Sequence, residues 1–267
     1  MPVLVWLTLW EDPEHLRLWQ YSAVLTKRGI LITEEVKRSV NKIYNSSAEA
    51  IADIPDGATI MFGGWGPIGD PENLIRALLE KGTKDITAVA NDPGNDRGGG
   101  MLFGTHLLIK AKRIKKFIAS YHAWNPEFMR QYQAGELEFE VSSQGILAER
   151  IRAGGAGLFG FYTDVGADTL LAENKEKKVI EGRTCVLELP LKADYAFIKA
   201  HVADKWGNLK YRFTAQNFNP IMATAARIVI AEVENIVGVG NLDPNEIHTP
   251  GIYVDRIVKG EYYAKRV

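Results

Sequence analysis

ATIMFGGWGPIGDPENLIRALLEKG, residues 58–82, joins a near-continuous apolar run to a glycine-dense loop and then to an amphipathic stretch. Ala58–Phe62 has the pattern of a strand covered on both faces, the kind found inside a parallel sheet. After the loop, the spacing predicts a helix with Asp70 as N-cap, Pro71 at its first position and Gly82 as its stop. Leu74, Ala77 and Leu78 form its apolar stripe. A buried strand, a glycine loop and a helix in that order make the first half of a βαβ unit.

The same rhythm extends in both directions. Upstream, 40–54 reads as a short strand and a helix capped at Ser46 or Ser47, followed by a Pro55-Asp56-Gly57 turn. Downstream, ITAVAND (86–92), KKFIASYH (115–122) and LEFEVSS (137–143) read as strands. Between and after them lie MLFGTHLLIKAK, NPEFMRQYQAG with an Asn125 cap and Pro126 at its start, and ILAERIRAGG. Strands alternating with helices predict an open three-layer α/β/α fold around a mostly parallel sheet. From residue 184 onward strand-like runs dominate, so the sheet is expected to finish in hairpins. ENKEKKVIEG (173–182) reads as a surface loop.

Residues 1–35 differ. They hold three tryptophans in the first 19 positions and no glycine before Gly29. They are expected to form an extension of unknown role outside a domain spanning 36–267. A docked arm or helix, or residues upstream of a true start near Val36 or Val40, would account for them. VLVWLTLW (3–10) is too short to span a bilayer and lacks the flanking basic residue of a secretory signal.

Composition narrows the function classes. The 267 residues carry 32 Lys+Arg against 33 Asp+Glu, so there is no basic excess to grip nucleic acid or an anionic membrane. The lone Cys185 leaves no disulfide framework or cysteine zinc site, and the simplest location is the cytoplasm. There is no phosphate-binding GxxxxGK[ST] and no G-x-S-x-G elbow. The five histidines (15, 106, 122, 201 and 248) lack metal-ligand spacing, so no metal is expected.

Gly64, Gly66 and Gly69 spell G-x-G-x-x-G, and Asp92 follows 23 positions later, where a dinucleotide fold places its ribose acid. Against that reading, Pro67 stiffens the loop and the helix starts only after the third glycine. A tight structural turn is a second reading. The third is a loop whose close-approaching backbone holds a carboxylate or a developing oxyanion. Three more glycine stretches, NDPGNDRGGG (91–100), SSQG (142–145) and GGAG (154–157), raise the expectation that three loops gather on one rim of the sheet. That rim offers the amides of Asn91 and Gln144 and the glycine backbone, but no evident nucleophile–base pair. Asp92 and Asp96 are more in keeping with turn capping. Polar binders without a nucleophile suggest half an active site.

Asp56-Gly57, Ile60-Met61-Phe62, Gly63-Gly64-Trp65, Gly69 and Pro71 together resemble the signature of the first (A, or alpha) subunit of family I coenzyme A transferases. PENLIRALL, ITAVAND, SSQGILAERIRAGGAG, GFYTDVGADTL, NFNP (217–220) and EIHTPGIYVDRIVKG (246–260) extend the resemblance over about residues 38–266. It is most similar to the A subunit of the succinyl-CoA:3-oxoacid and 3-oxoadipate enzymes. It departs at Trp65, where that family usually has Phe, and at Asp92, where the succinyl-CoA-using members often carry a second Asn.

The resemblance implies a CoA-transferase (NagB/RpiA-like) fold and a ping-pong transfer between acyl-CoA and a carboxylic acid. CoA is then a substrate and no cofactor is bound. It further implies a glutamate nucleophile on a partner B subunit, within an α2β2 assembly. Gln144 would contact the thioester and its oxyanion. Gly63, Gly64, Trp65, Gly66 and Asn91 would bind substrate. Acetate/acetoacetate, 3-oxoadipate and glutaconate transfer remain open, as does a stand-alone ligand-binding or sugar-phosphate isomerase-like protein.

Overall fold

The computed structural model describes residues 4–9, 19–26, 29–32, 41–94, 103–122, 125–261 and 263. The chain divides into two units, Met1–Asn41 and Lys42–Val267. In the first, β1 (Leu4–Leu9), β2 (Trp19–Thr26) and β3 (Gly29–Ile32) form an antiparallel meander with β2 in the middle. These described residues are strands, so the helix reading does not hold for them. Aromatic and aliphatic residues such as those of LVWLTL and WQYSAVLT suit a pleated surface better than a helix. Val36, Val40 and His15 lie outside the described residues.

The second unit opens with β4 (Ile43–Tyr44), α1 (Ser47–Ala50), β5 (Thr59–Phe62), α2 (Glu72–Lys81), β6 (Ile86–Val89) and α3 (His106–Lys110). The alternation continues through β7 (Ile114–Ala119), α4 (Pro126–Gln133), β8 (Glu138–Val141) and α5 (Gln144–Gly155). Next, β9 (Phe161–Thr163), β10 (Lys177–Ile180) and β11 (Arg183–Glu188) make a separate antiparallel sheet, β10-β11-β9. The chain finishes with β12 (Ala193–Asp204), β13 (Leu209–Lys210), α6 (Asn219–Thr224), β14 (Ala226–Val237) and β15 (Arg256–Lys259).

The main sheet runs β4-β15-β14-β12-β5-β6-β7-β8, every neighbour parallel, with β13 added antiparallel to β12. Side chains alternate between its faces. Ile60, Phe62, Phe117 and Phe197 pack with Leu74, Leu78, Leu108 and Phe128 of α2–α4. Met61, Ile118, Ile198 and Ala231 pack with Leu147 and Ile151 of α5 and Met222 of α6. Helices on both faces make the three layers that the sequence predicts.

Three local expectations change. The late strands are mostly parallel: only β12–β13 and β10–β11 are hairpins. β12 and β14 each bury residues on both faces, and the α6 crossover lets them lie side by side. Residues 177–180 are strand although all four are exposed. The N-cap of α2 is Pro71, because the buried Asp70 side chain lies in the glycine loop against Gly64 and Gly104.

Candidate functional site

Strands β6, β7 and β8 run outward in sequence from one side of β5, and β12, β14 and β15 from the other. α2 covers one face beside this divide and α6 the other. The boundary between β5 and β12 is a topological switch point, where open α/β sheets leave a crevice beyond their carboxyl ends. The loop Gly63–Asp70 leaves β5 here, held at its start by the Gly63 N–H donating to Phe197 O at 2.9 Å.

Trp65 and Ile68 exchange backbone hydrogen bonds of 3.0 and 3.2 Å, closing a two-residue turn. Gly66 supplies the positive φ of +55° that its first position needs. The Gly66 N–H donates to Asp92 Oδ2 at 2.8 Å. The amides of residues 65, 66 and 68 are all given to protein acceptors, which takes three of the loop's N–H groups away from any pyrophosphate and counts against the dinucleotide reading. Asp92 also accepts from Asn91 Nδ2 (2.9 Å) and Gly94 N (3.1 Å), so it ties the first loop to the second.

Behind the loop stands Asn219, fully buried at the start of α6. Its Oδ1 accepts from Lys199 N of β12 at 2.8 Å, and its Nδ2 donates to Ala215 O and Gly69 O. A Cβ at Gly63 would sit 1.9 Å from that Oδ1, so only glycine fits. Asn217 Nδ2 adds a bond to Ile68 O at 2.9 Å. The NFNP stretch therefore shapes the glycine loop from 150 residues away in sequence.

Asn91 is buried, and Ser120 Oγ donates to its Oδ1 at 3.0 Å and to its backbone oxygen at 2.9 Å. Gln144, the exposed first residue of α5, donates from Nε2 to the same Oδ1 at 2.8 Å. Three of the four glycine stretches thus converge. The fourth does not: Gly154 and Gly155 let α5 press against Leu191 O and Thr224 Oγ1, which is packing. A cavity at the carboxyl end of β5 is lined by Gly63, Gly64, Asp70, Asn91, Asp92 and Thr105, among others. Trp65 and Gly66 stand outside that lining, and Trp65 is 51% exposed. Asp96 lies outside the described residues.

Sequence reasoning missed Asn219, Asp70 and Thr105 as parts of the site. Three of the histidines make local contacts: His122 stacks on Phe139, His248 Nδ1 accepts from Tyr211 N, and His201 pairs with Glu234 at 2.8 Å. Among the described residues there is no cluster of three metal-ligating side chains. Glu232, fully buried on β14, accepts from Asn73 N, Asn73 Nδ2 and Leu74 N at the start of α2. Burial pushes its carboxyl up to about 7, against the pull of those donors and Lys199. Its bonds anchor α2 to the sheet.

The chain is a three-layer α/β protein whose parallel sheet carries an amide-bearing glycine rim at its switch point. The chain belongs to the coenzyme A transferase family, whose model matches residues 44–260. It is 51% identical over 228 residues to the A subunit of a probable succinyl-CoA:3-ketoacid coenzyme A transferase from Bacillus subtilis, covering 85% of this chain and 94% of that one. It is 47% identical to the A subunit of the 3-oxoadipate CoA-transferase from Pseudomonas putida, covering 82% and 94%. The fold is shared with an acyl-CoA transferase of Escherichia coli O157:H7 solved as a thioester complex with CoA, at a TM-score of 0.72 and 21% identity. That likeness covers 82% of this chain but 47% of the other, so the chain spans about half of that protein.

Proposed function

We propose that this chain is the A subunit of a heteromeric 3-oxoacid CoA-transferase, which moves CoA between an acyl-CoA of the succinyl type and a 3-oxo acid. The observation that carries the reading is the hydrogen bond from Gln144 to Asn91, a residue that lines the glycine-bordered cavity. It supports a polarising half-site, and the A-subunit names of the relatives at 51% and 47% identity support a partner that completes it.

In the proposed reaction a glutamate carboxylate from the B subunit, acting as nucleophile, attacks the thioester carbonyl and expels CoA thiolate, giving an acyl-glutamyl anhydride. The thiolate attacks the glutamyl carbonyl and releases the first acid, leaving a glutamyl-CoA thioester. The acceptor carboxylate then reverses both steps and restores the glutamate. Each addition puts negative charge on a carbonyl oxygen. The Gln144 amide has a second N–H, taken by none of the described residues, that can meet this charge, while Asn91 and Ser120 hold its orientation. Gly63, Gly64 and Asn91 border the space for the acyl end of the substrate. CoA is a substrate throughout, an α2β2 assembly would present two such composite sites, and the buried lone Cys185 suits a reducing cytoplasm.

The test is reconstitution with a glutamate-bearing B subunit, using a panel of acids: acetate, 3-oxobutanoate, 3-oxoadipate and glutaconate. CoA transfer by the pair, with none by either chain alone, is expected. Turnover by the isolated chain would overturn the proposal and favour a self-sufficient site.

A further inference from the structure

Asp92, in the loop that follows β6, uses its two carboxylate oxygens differently. Oδ1 accepts from Gly94 N at 3.1 Å, an ordinary turn contact. Oδ2 accepts from Gly66 N at 2.8 Å and from Asn91 Nδ2 at 2.9 Å. An ionised carboxylate can only accept, so the amide atom of Asn91 that faces it has to be the nitrogen. The opposite orientation would set Asn91 Oδ1 against a carboxylate oxygen. With Nδ2 held there, Oδ1 is the atom that faces Gln144, and Gln144 has to meet it with Nε2, at 2.8 Å.

Ser120 does not make this choice. Its hydroxyl carries one proton, which the backbone oxygen of Asn91 can take at 2.9 Å, and its lone pairs would then accept from an amide N–H as readily. The Gln144 side chain has no second hydrogen-bond partner among the described residues, so nothing else there fixes which way its amide is turned. Turned over, it would present an Oε1 lone pair where its second N–H now points, and a developing oxyanion would be repelled. We infer that Asp92 is a positioning residue: by fixing the sense of the Asn91 amide it fixes that of Gln144, which keeps an N–H turned to the reacting carbonyl. This rests on the CoA-transferase reading of the same site.

The experiment measures kcat and KM of the reconstituted pair carrying D92A or D92N, each with Gln144 in place and in a Q144A background. In D92A either sense of the Asn91 amide is allowed, so kcat should fall about tenfold with KM for acyl-CoA nearly unchanged, a smaller loss than removing the donor outright. In the Q144A background no amide is left to aim, and the same substitution should change kcat by less than about twofold. D92N can keep its oxygen toward Gly66 N and Asn91 Nδ2 by turning its nitrogen to the Gly94 side, so it should hold kcat within about threefold of wild type. A D92A loss as large in the Q144A background as with Gln144 in place, or no loss in either, would overturn the role of Asp92. A tenfold loss in D92N would also overturn it, whether or not D92A assembles. These outcomes leave the CoA-transferase reading intact. A wild-type pair that transfers no CoA, or a Q144A pair as active as wild type, would overturn the reading of the site and this inference with it.

Discussion

Gln144 Nε2 reaches Asn91 Oδ1 at 2.8 Å across 53 residues of sequence, joining the first turn of α5 to the end of β6. The oxygen it uses is already held by Ser120 Oγ at 3.0 Å, so the amide is aimed before any ligand arrives. Preorganised donors are the ones that lower a barrier most. Replacing Gln144 by Ala should therefore lower kcat of the reconstituted enzyme by about 10²-fold or more with the circular dichroism spectrum unchanged. A loss below about threefold would remove Gln144 from the reacting centre.

The glycine loop depends on Asn219. Gly63→Ala places a Cβ 1.9 Å from Asn219 Oδ1 and should cost roughly 1–3 kcal/mol of stability by urea denaturation. Asn219→Ala should cost a similar amount, since Lys199 N, Gly69 O and Ala215 O lose their partner. The double variant should be less destabilised than the sum of the two, because the smaller side chain removes the clash. Additive losses would show that Asn219 does not dictate the glycine.

Glu232 predicts a pH dependence of stability. Its carboxyl is raised by burial from 4.5 to about 7, so between those values the folded chain holds a proton that the unfolded chain has released. The associated stability is fully present below about pH 4.5 and is lost as pH rises through about 7, at a slope of up to about 1.4 kcal/mol per pH unit. Glu232→Gln cannot titrate, so the wild-type-minus-variant difference in denaturation midpoint should fall from pH 5 to pH 7.5. Parallel curves would contradict the assignment.

What was legible in the sequence is what neighbours in the chain decide. Asn125 caps α4 through Phe128 N at 3.0 Å with Pro126 next to it, and Ser46 caps α1 through Glu49 N at 3.1 Å. Those signals act over three residues, so they survive without knowledge of the fold. Strand pairing is different: the apolar runs of β12 and β14 suit a parallel or an antiparallel neighbour equally, and only α6 decides. Asn219 and Thr105 were invisible for the same reason. Nothing in NFNP or FGTH announces that the fold carries one beneath Gly63 and the other into the cavity wall.

The most direct test of a half-site is where the covalent intermediate forms. The reconstituted pair, incubated with acyl-CoA and analysed by intact mass spectrometry with and without borohydride, should show the CoA adduct and its reduced product only on the B subunit. An acyl or CoA adduct on a side chain of this chain would contradict the account.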